Sequence, residues 1–145
     1  MSLAMTQSER EAFLAGVHVG VLSVVEADGK PIGVPVWYTY EPGGEISVQV
    51  DPGSRKGKAL TATGRFSLCA QSEELPYKYV LVTGRVRESR APSDVERREL
   101  AYRYLGPEFG ESYLDATHDE ATGTLLFVLQ PDQWMTVDYG KQFGG

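Results

Sequence analysis

The sequence predicts a mainly β fold: a closed or partly closed antiparallel barrel of about six strands, with helices inserted at its edges. Three observations carry that expectation. Apolar, β-branched segments of strand length recur along the chain, clusters of Gly, Pro and Asp separate them, and helical patterning is confined to a few short stretches.

The elements follow in chain order. Residues 6–15 predict a short helix anchored by Phe13 and Leu14. Residues 19–26 are an apolar strand that stops at Ala27-Asp28-Gly29-Lys30, a tight-turn sequence. Residues 32–41 follow, rich in β-branched and aromatic side chains, and end at Pro42-Gly43-Gly44. Pro35 has no N–H for the ladder, which places this strand at an edge or a bulge. Residues 45–50 alternate strictly, with Ile46, Val48 and Val50 on one face. After this meander come Ser54-Arg55-Lys56-Gly57-Lys58 and an Ala/Leu/Thr stretch that reads as a short helix. Residues 66–71 alternate again, and residues 77–88 form a long strand carrying Tyr79, Val80, Leu81 and Val82. Ser93 and Glu96 make a capping box that opens a helix over 94–105, with Val95, Tyr102 and Leu105 able to share a face. Gly106-Pro107 stops it, and a second short helix fits 108–116. The chain returns to β over 124–130 and 134–139.

Composition bounds what such a domain does. At 145 residues the chain is one domain, 1–145, with residues 1–5 expected to be disordered or tag-derived. No window approaches the roughly 20 apolar residues that span a bilayer, and no signal peptide is visible, so no membrane association is expected. Cys69 is the single cysteine, which fits a reducing, cytoplasmic setting without disulfides or thiolate metal clusters. The net charge of −6 argues against nucleic acid as a partner.

Against that acidic balance, Arg55, Lys56 and Lys58 put three of the 14 Lys and Arg residues within four positions. A helix N-terminus offers free N–H groups and a partial positive charge, so a small anion binds there readily. Ser54 can cap the terminus, Gly53 and Gly57 permit close backbone approach, and Arg55 can grip phosphate oxygens as a fork. The run is not a nucleotide P-loop: it is one residue too short, and Ala59 stands where a hydroxyl would meet magnesium. Local sequence alone leaves a solvated basic turn equally open.

Wider context resembles a known family. Pro35-Val36-Trp37-Tyr38, a tight turn, a strand, Ser54-Arg55-Lys56 and a short helix occur in the order seen in pyridoxamine 5′-phosphate oxidase-like flavoproteins. Pro76-Tyr77-Lys78-Tyr79-Val80 leading to Thr83-Gly84-Arg85, and the closing Pro131-Asp132-Gln133-Trp134, extend the likeness over roughly residues 10–140. The resemblance implies a six-stranded split barrel that binds FMN, or alternatively the deazaflavin coenzyme F-420, at a homodimer interface. It also implies roles. Arg55 and Lys56 match the phosphate-binding pair, with Ser54 beside them and Lys58 as a third cation. Val36, Trp37 and Tyr38 match the strand beside the cofactor ring and tail, and Gln49-Val50 matches a neighbouring contact. Tyr79 falls where the oxidase carries a glutamine that reaches the cofactor; it keeps a polar tip and changes the hydrogen-bond geometry.

Two departures bear on activity. The oxidase ends in a basic, histidine-containing segment that binds pyridoxal phosphate, whereas this sequence runs Val137-Asp138-Tyr139-Gly140-Lys141-Gln142-Phe143-Gly144-Gly145. A tryptophan often stands six positions after the last-strand proline; here that position is Val137, and the tryptophan is Trp134. The sequence looks more like an actinobacterial subgroup that includes F-420-dependent reductases, and pyridoxamine phosphate oxidation is not expected.

In such a site the cofactor supplies hydride or electron transfer, and no catalytic side chain is required or assigned. His18 reads as structural, His118 in Thr117-His118-Asp119-Glu120 as a solvated loop rather than a metal ligand, Cys69 as a small core residue, and Ser72-Glu73-Glu74 as a charged turn. Trp37, Tyr38, Tyr77 and Tyr79 can wall a flavin or simply pack across strands. Lys30, Lys78 or Arg85 would suit the longer tail of F-420 if the fold brings them close. Three functions remain: a flavin- or deazaflavin-dependent oxidoreductase acting on an unknown small molecule, a non-catalytic flavin or haem carrier or sensor, and a plain interaction domain.

Overall fold

The computed structural model describes residues 2–119 and 123–143. Its strands are β1 (Gly20–Val25), β2 (Pro31–Val36), β3 (Thr39–Tyr40), β4 (Ile46–Val50), β5 (Arg65–Gln71), β6 (Lys78–Arg90) and β7 (Leu125–Asp138). They form one sheet in the order β2-β1-β5-β6-β7-β4-β3, with every neighbouring pair antiparallel. The helices are α1 (Gln7–Ala15), α2 (Arg55–Thr63), α3 (Asp94–Ala116) and the short α4 (Gly140–Phe143).

The strand count is seven rather than six. The segment expected over 32–41 breaks at Trp37-Tyr38 into β2 and β3, whereas the two final segments are one continuous strand. Pro131 does not interrupt β7 because it sits opposite Gly84 at a bulge, where no ladder N–H is needed. Pro35 lies on β2, the sheet edge that its missing N–H requires.

Bulges explain how two long strands serve both halves of the barrel. The first part of β7 pairs with β4 and with the end of β6, and its second part pairs with the start of β6. Register shifts at Thr83/Gly84 and Val86/Glu88 bend this ribbon. At the bend a Cβ on residue 84 would lie 1.8 Å from the Gln130 carbonyl oxygen, so only glycine lets the strands cross.

Alternation sends one face of each strand inward. Leu22 and Val24, Ile46, Val48 and Val50, Phe66 and Leu68, Val80 and Val82, and Phe127 and Leu129 make the core, closed by Leu14 of α1 and Leu60 of α2. The same alternation puts Pro35, Val21, Cys69, Leu81 and Met135 side by side on the outer face of five adjacent strands. Val21 and Met135 remain 41% and 55% exposed in this apolar row.

Near the N-terminus the Leu3 carbonyl accepts from Asp138 N–H and Met5 N–H donates to Thr136 Oγ1, which seats Met5 in the core. Met1 lies outside the described residues. In α3 the capping box forms as expected, with both reciprocal bonds between Ser93 and Glu96. Its buried face, however, is Leu100 and Ala101, while Val95 is 63% exposed. The two helices expected over 94–105 and 108–116 run into each other across a non-helical Gly106. Among the described residues, no helix is long and apolar enough to cross a membrane.

Candidate functional site

The end of β4 leads straight into the site. Asp51, Pro52 and Gly53 turn the chain, and Ser54 caps α2 by accepting from Gly57 N–H at 3.1 Å while donating to the Asp51 carbonyl at 2.6 Å. The Asp51 carboxylate accepts from Gly53 N–H at 2.8 Å. Gly57 is needed for internal packing: a Cβ there would lie 2.3 Å from the Asp51 carbonyl oxygen. The loop is thus held by its own bonds before any ligand arrives.

This loop forms one end of a cleft of about 560 Å³ between the β2/β4 end of the sheet and α3. That volume falls in the range of small-molecule sites. Four of the residues expected at a cofactor site line it: Val36, Trp37, Gln49 and Lys56. Trp37 stacks on Tyr104 of α3 at 5.1 Å with the rings nearly parallel, and meets Tyr113 at 5.3 Å in a tilted arrangement. The Tyr104 hydroxyl fixes the strand break beside it, accepting from Tyr38 N–H and donating to the His18 carbonyl. Gln49 Nε2 donates to the Glu96 carbonyl at 3.2 Å, pinning the first turn of α3 to β4.

The other expected residues lie elsewhere. Tyr38 is fully buried, its hydroxyl donating to the Leu14 carbonyl at 2.7 Å, and burial pushes its phenol well above the usual value. Val50 is a core residue, and Lys58 is exposed on α2 outside the cleft lining. Arg55 turns toward β1 and the turn after it: its Nε and Nη2 donate to Glu26 at 2.9 and 2.5 Å. That pairing raises the guanidinium's proton affinity and lowers that of the Glu26 carboxyl. Tyr79 is half-buried on the outer face of β6, between Gln71 and Val137. Lys30, Lys78 and Arg85 are likewise outside the lining.

Sequence reasoning missed the α3 wall. Arg97, Leu100, Ala101, Tyr113 and Leu114 face the cleft, with Asp51 at its polar end. The signal was available: the capping box fixes the start of the helix, and 97, 100, 101 and 104 then fall at helical spacing on one face. The two histidines lie outside the cleft lining. His18 stacks on Phe13 at 4.4 Å and bonds the Phe13 carbonyl through Nε2, and desolvation lowers its basicity. His118 is exposed, with Nδ1 3.5 Å from Asp119, and Glu120 lies outside the described residues. The described residues hold no group of three metal-ligating side chains. Cys69 is half-buried on the outer face of the sheet rather than in the core, and burial pushes its thiol up. Ser72 closes its turn by donating to the Glu74 carbonyl.

Comparison with known proteins completes the picture. No curated protein matches the chain. The fold is similar to a solved F420 reductase, with TM-score 0.74 and 21% identity over 86% of this chain and 94% of that one. It is also similar to a conserved hypothetical protein of Mycobacterium tuberculosis, with TM-score 0.77 and 19% identity over 98% and 90% of the two chains. An FAD-binding protein of Mesorhizobium loti gives TM-score 0.62 and 23% identity over 92% and 93%. At these identities the three show a shared fold. The family profile described as pyridoxamine 5′-phosphate oxidase matches residues 6–138, nearly the whole chain, and the protein therefore belongs to the pyridoxamine 5′-phosphate oxidase-like split-barrel family.

Proposed function

We propose that this protein is a flavin-type oxidoreductase that holds FMN, or alternatively coenzyme F-420, in the cleft between β2, β4 and α3. The observation that carries this reading is the cleft itself, which pairs an aromatic wall at Trp37 with a cationic end at Lys56. A flat tricyclic ring with a phosphorylated tail suits a lining that holds both an aromatic residue, Trp37, and the cations Lys56 and Arg97. When bound, the cofactor would accept or deliver hydride or electrons. The chain's own residues bind and orient it: Val36 and Trp37 flank the ring, Gln49 and Val50 contribute the edge of β4, and Lys56 neutralises the tail beside the Ser54 cap.

Arg55 supports the same end. Glu26 occupies its Nε and Nη2, which orients the guanidinium and leaves Nη1 for a phosphate oxygen. Lys58 adds a more distant cation. Tyr38 acts from the core by setting the strand break on which Trp37 sits.

A homodimer fits this site. Pro35 belongs both to the cleft lining and to the outer apolar row, so a second copy covering that row would reach the cleft's open side, with Tyr79 on the same covered face. The single cysteine suits a reducing, cytoplasmic setting.

Purified protein should bind FMN or F-420 at micromolar affinity or better, and reversing the charges of Arg55 and Lys56 together should abolish binding. If neither cofactor binds, or the double variant binds as the unmodified chain does, the reading fails. Binding without turnover against a panel of reductants and acceptors would favour a carrier or sensor.

A further inference from the structure

We infer that Arg97, on the α3 wall, is a further cation for the cofactor's phosphate ester, acting with Lys56 from the opposite element of the cleft; this rests on the flavin-type reading of the site. Arg97 lies half-buried in the lining, one residue after Glu96, whose carbonyl accepts from Gln49. It is one turn before Leu100 and Ala101, which are buried and line the same wall. Its place on the cleft is thus set by a hydrogen bond on one side and apolar packing on the other.

Arg55, Arg87, Arg90 and Arg98 each engage a carboxylate. Arg10, Arg65, Arg85 and Arg103 share with Arg97 the lack of an ion pair among the described residues, but of these five only Arg97 lines the cleft. Neither Lys56 nor Arg97 forms an ion pair among the described residues. Among the described residues the lining holds one carboxylate, that of Asp51, which accepts from Gly53 N–H and forms no ion pair with Lys56 or Arg97. A half-buried guanidinium with no carboxylate partner among the described residues can take an anion, and its planar fork suits two oxygens of a phosphate ester. Lys56 and Arg97 come from two different elements, so an anion between them would tie α3 to the α2 loop. Arg55 adds its remaining Nη1 from the Lys56 side, partly neutralised by Glu26.

The test titrates FMN against the unmodified protein, Arg97→Gln, Arg97→Lys and Arg87→Gln. Arg87 is a charge control, since it lines a different concavity beside Glu45. Arg97→Gln should weaken FMN binding about 10- to 100-fold, as expected for losing a charged hydrogen bond, and should flatten its salt dependence. Arg97→Lys, which restores the charge without the fork, should recover part of the loss, Arg87→Gln should bind normally, and riboflavin, which lacks the phosphate, should not distinguish the four proteins. If F-420 is the ligand, the same series applies with its tail-less deazaflavin. Thermal unfolding midpoints within a degree or two confirm that folding is intact. Normal FMN binding by Arg97→Gln overturns the proposal while leaving the flavin reading standing. So does an equal loss in Arg87→Gln, or a loss that Arg97→Lys does not even partly restore. Failure of the unmodified protein to bind either cofactor overturns both.

Discussion

Lys56 and Gly57 are adjacent and do opposite kinds of work. Lys56 offers charge to the cleft, while Gly57 lets α2 pack down on the Asp51 carbonyl so that the charge arrives in the right place. Gly57→Ala should therefore destabilise the fold by about 2 kcal/mol or more, because backbone must move to relieve the overlap. A chemical-denaturation midpoint equal to that of the unmodified protein would show that the loop yields more easily than this packing implies. Arg55 and Lys56 were legible as a basic pair from sequence alone. Their different surroundings were not, since Glu26 lies 29 positions away and meets Arg55 only once β1 and α2 are packed. Tyr38 shows the same limit: the aromatic run over 37–40 is plain in the sequence, but the strand break that turns Tyr38 inward and Trp37 toward α3 is a tertiary event.

At the scale of elements, α3 decides the shape of the cleft. Its start is fixed by Ser93 and Glu96, its middle by Leu100 and Ala101, and its second half by Glu111, which engages Arg98 and Tyr102 of the first. Ser93→Ala should cost about 1 kcal/mol through loss of the cap. It should also weaken cofactor binding, because the Gln49–Glu96 bond lies in the same turn. The Glu96 carboxyl is held at about 2, below its ordinary 4.5, first by the Arg90 guanidinium and then by Ser93 N–H. A lowered folded value stabilises at pH above the ordinary one, and that contribution disappears as pH falls from about 4.5 toward 2. Glu96→Gln should accordingly flatten the acid limb of a melting-temperature profile, and an unchanged limb would remove Glu96 from the account. The capping box was readable in the sequence. Which helix face it would turn inward was not, because Val95, Tyr102 and Leu105 are as apolar as the face that is actually buried.

For the whole molecule, the order β2-β1-β5-β6-β7-β4-β3 brings two distant segments, β2 and the loop after β4, to one end beneath α3. The alternating segments and turn residues of the sequence were enough to give a mainly antiparallel barrel. The continuous β7 was not visible, because Pro131 reads locally as a stop and is accommodated only by the bulge opposite Gly84. The outer row of Pro35, Val21, Cys69, Leu81 and Met135 is an apolar surface that leaves Val21 and Met135 exposed. Met135→Asp should convert a dimer to a monomer in sedimentation without unfolding it, since Met135 is already 55% exposed in the single chain. A monomeric unmodified protein would contradict the proposed pairing.

Direct titration tests most plainly whether the cleft lined by Trp37 and Lys56 holds a flavin-type cofactor. Apo-protein is titrated with FMN and, separately, with F-420, following cofactor fluorescence and Trp37 quenching, with Trp37→Phe included to assign the signal. Saturable binding of one cofactor, lost on reversing the charges of Arg55 and Lys56, is the result expected. No saturable change with either cofactor, or binding indifferent to those charges, would contradict it.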